Sequence, residues 1–315
     1  MKKIALIGGG NIGSTVAYIL ATKELGNVTI LDKIKTRAEG KALDIEESLP
    51  SIKKDIFLTG SDNYSDIEDS ELIIITAGVS RTPEMSRNDL LTVNTTIIKN
   101  IATKIKKYAP NAFVIIITNP LDAMVYVFYK YSGFTRDKVI GMSGILDSAR
   151  FNLFLARELN VSTKDINSLV IGAHNDTMLP LIRLTNVSGI PLIDLINRGF
   201  ISHDKVQKII TRTRNAGIEI IKLLTSSSSC YGPATAAIKM AVSYLNGDNQ
   251  LFTGSVYLNG EYGVKDICIG VPFILGSNGI KKIIEIDLNE EEKNVFRQSV
   301  QSINSLISKT KKLLI

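Results

Sequence analysis

The chain has 315 residues, 44% of them hydrophobic and 22% charged, with a formal net charge of +6. That balance excludes a disordered chain, a collagen-like chain and a coiled coil, and the length suits about two domains. Two cysteines, Cys230 and Cys268, exclude a disulfide framework and a cysteine-rich metal site, and no apolar run reaches the ~20 residues of a membrane-spanning helix.

The lysines are scattered singly or in pairs. Their densest clusters, residues 104–107 and 309–312, fall near predicted helix ends, where cations suit the helix dipole. No nucleic-acid partner and no membrane partner are therefore expected, and a mild positive field favours a small acidic substrate. The N-terminus runs straight into a short apolar strand and a glycine turn, so no targeting segment is expected, and the setting is expected to be the reducing cytoplasm.

In chain order, residues 3–7 read as a strand and residues 11–25 as a helix, with Ile12, Val16, Ile19 and Leu20 on one face. Further strands are predicted at 28–31, 55–58, 72–77, 113–118 and 139–142. Helices are predicted at 37–49, 89–108 and 121–131, the first two closed by Pro50 and Pro110. β-Branched strands separated by amphipathic helices mean a parallel sheet with helices on both faces. The second half changes character. Helices at 147–159, 204–224, 233–245 and 289–314 accompany a strand at 168–172 and an antiparallel pair at 251–258 and 268–275. No internal repeat is present, and the only low-complexity stretch, residues 226–229, is too short for a linker. The expected class is α/β. An N-terminal doubly wound parallel sheet of the Rossmann type would occupy residues 1–144, and an α+β catalytic domain residues 145–315.

Gly8-Gly9-Gly10-Asn11-Ile12-Gly13 fits G-x-G-x-x-G, and it follows a strand and opens a helix, as the phosphate-binding mechanism requires. Gly8 makes the tight turn, Gly10 lets backbone approach a pyrophosphate, and Gly13 lets helix and strand pack closely. The helix N-terminus offers N–H groups to the phosphates. Asp32, at the end of the next strand, can accept both ribose hydroxyls and repels a 2′-phosphate, which predicts NAD over NADP.

The chain has two histidines, so imidazole proton transfer must use His174 or His203. His203, in Ser202-His203-Asp204, reads as a solvated helix start. His174 follows an apolar strand among small and polar residues. On the residues alone a structural and a catalytic role stay equally open. Asp147 and Arg150, at i and i+3, share a helix face. They read either as an ordinary ion pair or as a buried carboxylate for a histidine and a fork for a substrate carboxylate. Residues 78–88 follow a buried strand and carry Arg81 and Arg87; they read as a solvated loop or as one that closes over an anion. Asn119, in Thr118-Asn119-Pro120, ends the next strand on the same edge.

These motifs resemble the lactate/malate dehydrogenase family over nearly the whole chain, and within it the bacterial malate dehydrogenases of the lactate dehydrogenase-like type. The matching stretches are residues 8–13, 81–87, 118–120, 146–151, 172–180 and 257–263. The resemblance implies reversible NAD-linked oxidation of (S)-malate to oxaloacetate within the tricarboxylic acid cycle. L-Lactate or a broader 2-hydroxy acid is the alternative substrate, and a non-catalytic NAD-binding protein the remote one. It implies that His174 exchanges the proton and Asp147 pairs with it. Arg150 would bind the carboxylate beside the reacting carbon, Arg87 would polarise the carbonyl, and Asn119 would bond the substrate oxygen. Arg81, where lactate enzymes carry Gln, would meet the second carboxylate. Gly8, Gly10, Asn11, Ile12, Gly13, Asp32, Gly78, Asn94, Ile117 and Asn119 would bind the cofactor, no metal is implied, and the assembly would be a homotetramer or else a homodimer. Ser80, Thr82, Glu84, Asn175, Ser227 and Ser229 depart from the residues usual in the family.

Overall fold

The computed structural model describes residues 1–79, 87–225 and 227–313, with Arg87 described by its backbone alone. The first half alternates as expected: β1 (Lys3–Ile7), α1 (Asn11–Thr22), β2 (Asn27–Leu31), α2 (Lys35–Ser48), β3 (Leu58–Ser61), β4 (Leu72–Ile75), α3 (Arg87–Tyr108), β5 (Phe113–Ile116), α4 (Leu121–Ser132) and β6 (Val139–Gly141). Strands β1 to β6 pair in parallel, with Ile4 facing both Val28 and Leu72, and Ile74 facing Ile115. β4 and β5 are buried along their whole length, which is why they read as unbroken runs of β-branched residues.

Two expectations shift. The first helix stops at Thr22, and the chain turns through Glu24 in a left-handed conformation (φ 52°). Leu25 thus belongs to the turn, where its N–H bonds Leu20 O at 3.1 Å. The third strand is Leu58–Ser61, beyond the predicted 55–58, because Val28 pairs with Leu58 and Leu31 with Ser61. It contains Gly60, where a Cβ would lie 2.1 Å from Glu39 N on α2. That close approach puts a residue that reads as a strand breaker inside the strand.

The second half holds α5 (Gly144–Leu159), the two-residue strands β7 (Ile166–Asn167), β8 (Val170–Ile171), β9 (Leu179–Pro180), β10 (Asn186–Val187) and β11 (Ile190–Pro191), and α6 (Leu192–Asn197). It continues with α7 (His203–Leu224), α8 (Tyr231–Asn246), β12 (Gln250–Asn259), β13 (Lys265–Gly276), β14 (Gly279–Ile283) and α9 (Glu290–Leu313). The β12–β13 hairpin does not build a separate sheet. It joins the parallel one through Ser255 opposite Gly141, giving the order β14-β13-β12-β6-β5-β4-β1-β2-β3. One hydrophobic cluster surrounds this nine-stranded sheet. A second, with Phe151, Leu155, Ile166, Val206 and Ile209, lies between α5 and α7.

The last helix carries Glu290, Glu291 and Glu292 in its first turn and Lys311 and Lys312 in its last, matching its dipole. Asp266 on β13 ties it down, with Lys130 Nζ from α4 at 2.7 Å and Lys311 Nζ at 3.0 Å. Burial pushes the Asp266 carboxyl up, but the two lysines win and hold it at about 2. No helix among the described residues is long and apolar enough to cross a membrane.

Candidate active site

The glycine turn is built by steric necessity. Gly8 has φ 113° and donates its N–H to Leu31 O at 2.7 Å, and a Cβ there would lie 2.7 Å from Ala77 N. A Cβ on Gly13 would lie 1.9 Å from Gly8 O, so α1 can rest on the turn only with glycine there. Gly10 is different: nothing lies within 4 Å of its Cβ position. The protein does not demand glycine at that point, and a side chain would instead fill the space in front of the α1 N-terminus. That space, together with the N–H groups opened at Asn11, Ile12 and Gly13, fits a pyrophosphate.

Asp32 closes β2 beside the turn. Its Oδ2 accepts Gly9 N–H at 2.8 Å and its Oδ1 accepts Ile34 N–H at 3.0 Å, with Arg37 Nη1 3.8 Å from Oδ1. A carboxylate has about four acceptor positions, so room remains for ribose hydroxyls. A cleft of ≈500 Å³ runs from Asp32 past Gly8 and Gly10 to Gly78 and Val79. Tyr64 also lines it, its phenol pushed up to about 12 by burial. Nothing in the sequence singled out this tyrosine, because no motif surrounds it. Turn, acid and cleft together fit a dinucleotide such as NAD.

Asn94 does not face the cleft. It is 0% exposed, and its amide holds the wall together. Its Oδ1 accepts Val79 N–H at 2.8 Å, while Nδ2 donates to Val79 O at 3.2 Å and Asn119 O at 2.7 Å. Every polar atom of the side chain is thus committed to backbone, and Asn94 clamps together two loops that border the cleft. Ile117 is buried as well, its N–H bonded to Ile75 O at 2.9 Å. Gly78 and Asn119 are exposed at the strand ends, and the Asn119–Pro120 bond is cis. Arg81, Ser80, Thr82 and Glu84 lie outside the described residues, as does the side chain of Arg87; Arg87 itself opens α3.

The acid–base cluster comes together from three elements. α5 begins at Gly144, three residues before the predicted start, which puts Asp147 in its first turn. Asp147 Oδ2 meets His174 Nδ1 at 2.7 Å, and its Oδ1 meets Arg150 Nη1 at 3.2 Å. Only 2% of the Asp147 side chain is exposed, against 13% for His174 and 14% for Arg150. The buried reading of this pair therefore holds, and the ordinary surface ion pair does not. Burial alone would push the His174 imidazole down. The Asp147 charge and hydrogen bond outweigh it, Arg150 opposes them, and the net value lies above the usual 6.5. His203 is exposed at the start of α7, as expected.

The His174 segment is held from all sides. Gly172 exchanges two hydrogen bonds with Gly270 on β13, at 2.8 and 3.1 Å. Asn175 Oδ1 accepts Thr177 N–H at 2.8 Å and its Nδ2 donates to Ser302 Oγ on α9 at 3.1 Å. That gives the unusual Asn175 a structural purpose. Asp122, a residue with no part in the motifs, accepts the His174 backbone N–H through Oδ2 at 2.8 Å. Among the described residues no group of three or more His, Cys, Asp or Glu is placed to hold a metal ion.

Comparison with known proteins agrees with this geometry. The lactate/malate dehydrogenase NAD binding domain profile matches residues 2–141, and the lactate/malate dehydrogenase alpha/beta C-terminal domain profile matches residues 145–314. The chain is 52% identical to a malate dehydrogenase of Ehrlichia canis over 307 residues, 98% of each protein. Among solved structures it is similar to the Cryptosporidium parvum malate dehydrogenase, with a TM-score of 0.96 and 44% identity over 99% of each chain. It is similar too to the Plasmodium falciparum malate dehydrogenase in complex with NADH, with a TM-score of 0.94 and 38% identity over 100% of each chain.

Proposed function

The chain belongs to the lactate/malate dehydrogenase family, and on that premise we propose that it catalyses the reversible NAD-dependent oxidation of (S)-malate to oxaloacetate. Of the substrates left open by the sequence, malate is favoured, because the relative that matches 98% of the chain at 52% identity carries that activity in its name. The observation that carries the reading is the buried Asp147–His174 pair with Arg150 beside it.

NAD, when bound, supplies the hydride acceptor. His174 Nδ1 is committed to Asp147, so the proton of the malate hydroxyl is exchanged at Nε2. Asp147 fixes the tautomer and balances the imidazolium that forms. Arg150 presents its guanidinium fork to the carboxylate beside the reacting carbon. Asn119 bonds the substrate oxygen, and Arg87 stabilises charge developing on it. Arg81 pairs with the second carboxylate. With pyruvate it would be buried without a partner, at a cost of about 3–5 kcal/mol, or roughly 10²- to 10⁴-fold in specificity.

Initial rates of NADH oxidation with oxaloacetate and with pyruvate test the proposal, repeated with NADPH. The expected oxaloacetate rate exceeds pyruvate by about a hundredfold or more, and Arg81→Gln narrows the ratio. A preference for pyruvate would overturn the substrate, and equal rates with NADPH would overturn the role of Asp32. A domain change between residues 144 and 145 is supported by the two profile matches, which cover residues 2–141 and 145–314. The family resemblance further supports a homotetramer, with a homodimer as the alternative, serving the tricarboxylic acid cycle, and the two free cysteines favour the reducing cytoplasm. A monomer mass in sedimentation would overturn the assembly.

A further inference from the structure

Asp122 is the second residue of α4, three residues after Asn119, and is 3% exposed. Its Oδ2 is used by the His174 backbone N–H, while its Oδ1 has no hydrogen-bond partner. Ser255 Oγ on β12 acts on the same carboxyl, yet it too completes no well-formed bond. Two orphaned polar atoms therefore share one buried place, and a carboxyl withdrawn from water with an unpartnered oxygen favours its protonated form. A proton on Oδ1 makes that oxygen a donor and Ser255 Oγ its acceptor.

We infer that Asp122 is a positioning residue, a neutral carboxylic acid that fixes the His174 main chain against the turn carrying Asn119. The inference rests on His174 being the acid–base group. The charged and titratable neighbours agree with it. From α5, Asp147 presents a like charge, with Arg150 beyond it on the same helix. From β13 comes Cys268, a buried thiol pushed well up by its burial. Among the described residues the cation acting on Asp122 is His174 itself, when protonated. The α4 N-terminus favours the anion, but only modestly. Burial prevails and moves the carboxyl upward, with Asp147 adding to it, against the pull of the nearby Ser255 hydroxyl and the hydrogen bond of the His174 N–H.

Charge balance supplies the reason. With Asp122 neutral, Asp147 and Arg150 cancel, and protonated His174 leaves the site positive for a dicarboxylate. With Asp122 ionised, the two carboxylates would cancel Arg150 and the imidazolium, and the cluster would lose its attraction for a dicarboxylate. A neutral acid keeps the mechanical link between the two catalytic segments without that charge.

Difference infrared spectra of the wild type against Asp122→Asn should show a protonated-carboxyl C=O band at neutral pH. This readout needs no substrate, so it stands even if the malate assignment fails. Asparagine offers the same acceptor to His174 and the same donor to Ser255. In Asp122→Asn the pH at which kcat/KM for oxaloacetate falls should therefore stay where it is in the wild type. Asp122→Ala, which removes the link, should lose at least about tenfold more kcat than Asp122→Asn, at unchanged NADH affinity. Absence of the band, or a profile moved to lower pH in Asp122→Asn, would show an ionised Asp122 and overturn the inference. So would an alanine variant as active as the asparagine one. If Asp122→Ala does not fold, the band and the Asp122→Asn profile still decide.

Discussion

The two ends of the site are made in different ways. The cofactor end is mostly main chain: a glycine turn, a helix N-terminus and one carboxylate, all within the first 32 residues. The catalytic end is a set of side chains brought in from α4, α5 and the segment after β8, nearly all withdrawn from water. The first is specified by where a Cβ cannot fit, and the second by which charges balance. A steric cradle should therefore fail by loss of affinity, whereas a charge cluster should fail by loss of turnover and by a moved pH dependence.

The largest expected effect is at His174. Replacement by Asn should lower kcat by about 10³-fold while NADH still binds, because only proton exchange is lost. Near-wild-type turnover would remove His174 from the chemistry. Asp147→Asn comes next, with kcat expected to fall by about tenfold or more. Reduction of oxaloacetate needs the imidazolium, so its rate falls as pH rises through the His174 value. Asp147 holds that value up, and its loss should move the alkaline limb to lower pH. An unmoved limb would contradict the pairing. The same raised value has a stability counterpart. The contribution of His174 is complete below about pH 6.5 and is lost as pH rises through the folded value.

At the cofactor end, Gly13→Ala must displace either Gly8 or the first turn of α1. Fluorescence titration should show NADH binding weakened by about tenfold, with the rate at saturating NADH nearly retained. Unchanged affinity would mean that the turn yields without disturbing the cleft. The smallest effect is expected at Asp266, far from both ends. Its side chain is 43% exposed, so solvent screening limits the loss in Asp266→Asn to about 1 kcal/mol or less. The loss should be seen by melting near pH 7 and should vanish as pH falls from 3.8 through about 2, where the wild-type carboxyl is protonated.

The same contrast governs what the sequence made legible. Gly8, Gly13 and Asp32 could be read because spacing, strand and helix signals coincide within one short stretch. The parallel strands could be read because burial on both faces leaves continuous apolar runs. His174, Asp147 and Arg150 could be named as candidates, but their meeting could not be derived from spacing, and the resemblance to a family joined them. Asp122 stayed hidden, because an acid in the first turn of a helix looks like an ordinary dipole partner. Asn94 was placed in the right region, but its clamping bonds to Val79 and Asn119 stayed hidden, since sequence does not tell a surface amide from a buried one. The two-residue strands β7 and β9 to β11 were missed because two residues carry no period, while β8 fell inside the predicted strand at 168–172.

The Ser255–Gly141 pairing has a consequence for synthesis. When residue 141 leaves the ribosome, β6 has a bare edge, and the strand that covers it is more than a hundred residues away in the chain. At about 5–20 residues per second it arrives roughly ten seconds later. During that interval the nascent N-terminal half presents an unpaired strand edge, the kind of surface on which other chains add. A fragment ending at residue 144 should accordingly aggregate or bind a chaperone where the full chain does neither, and a monodisperse, protease-resistant fragment would refute this.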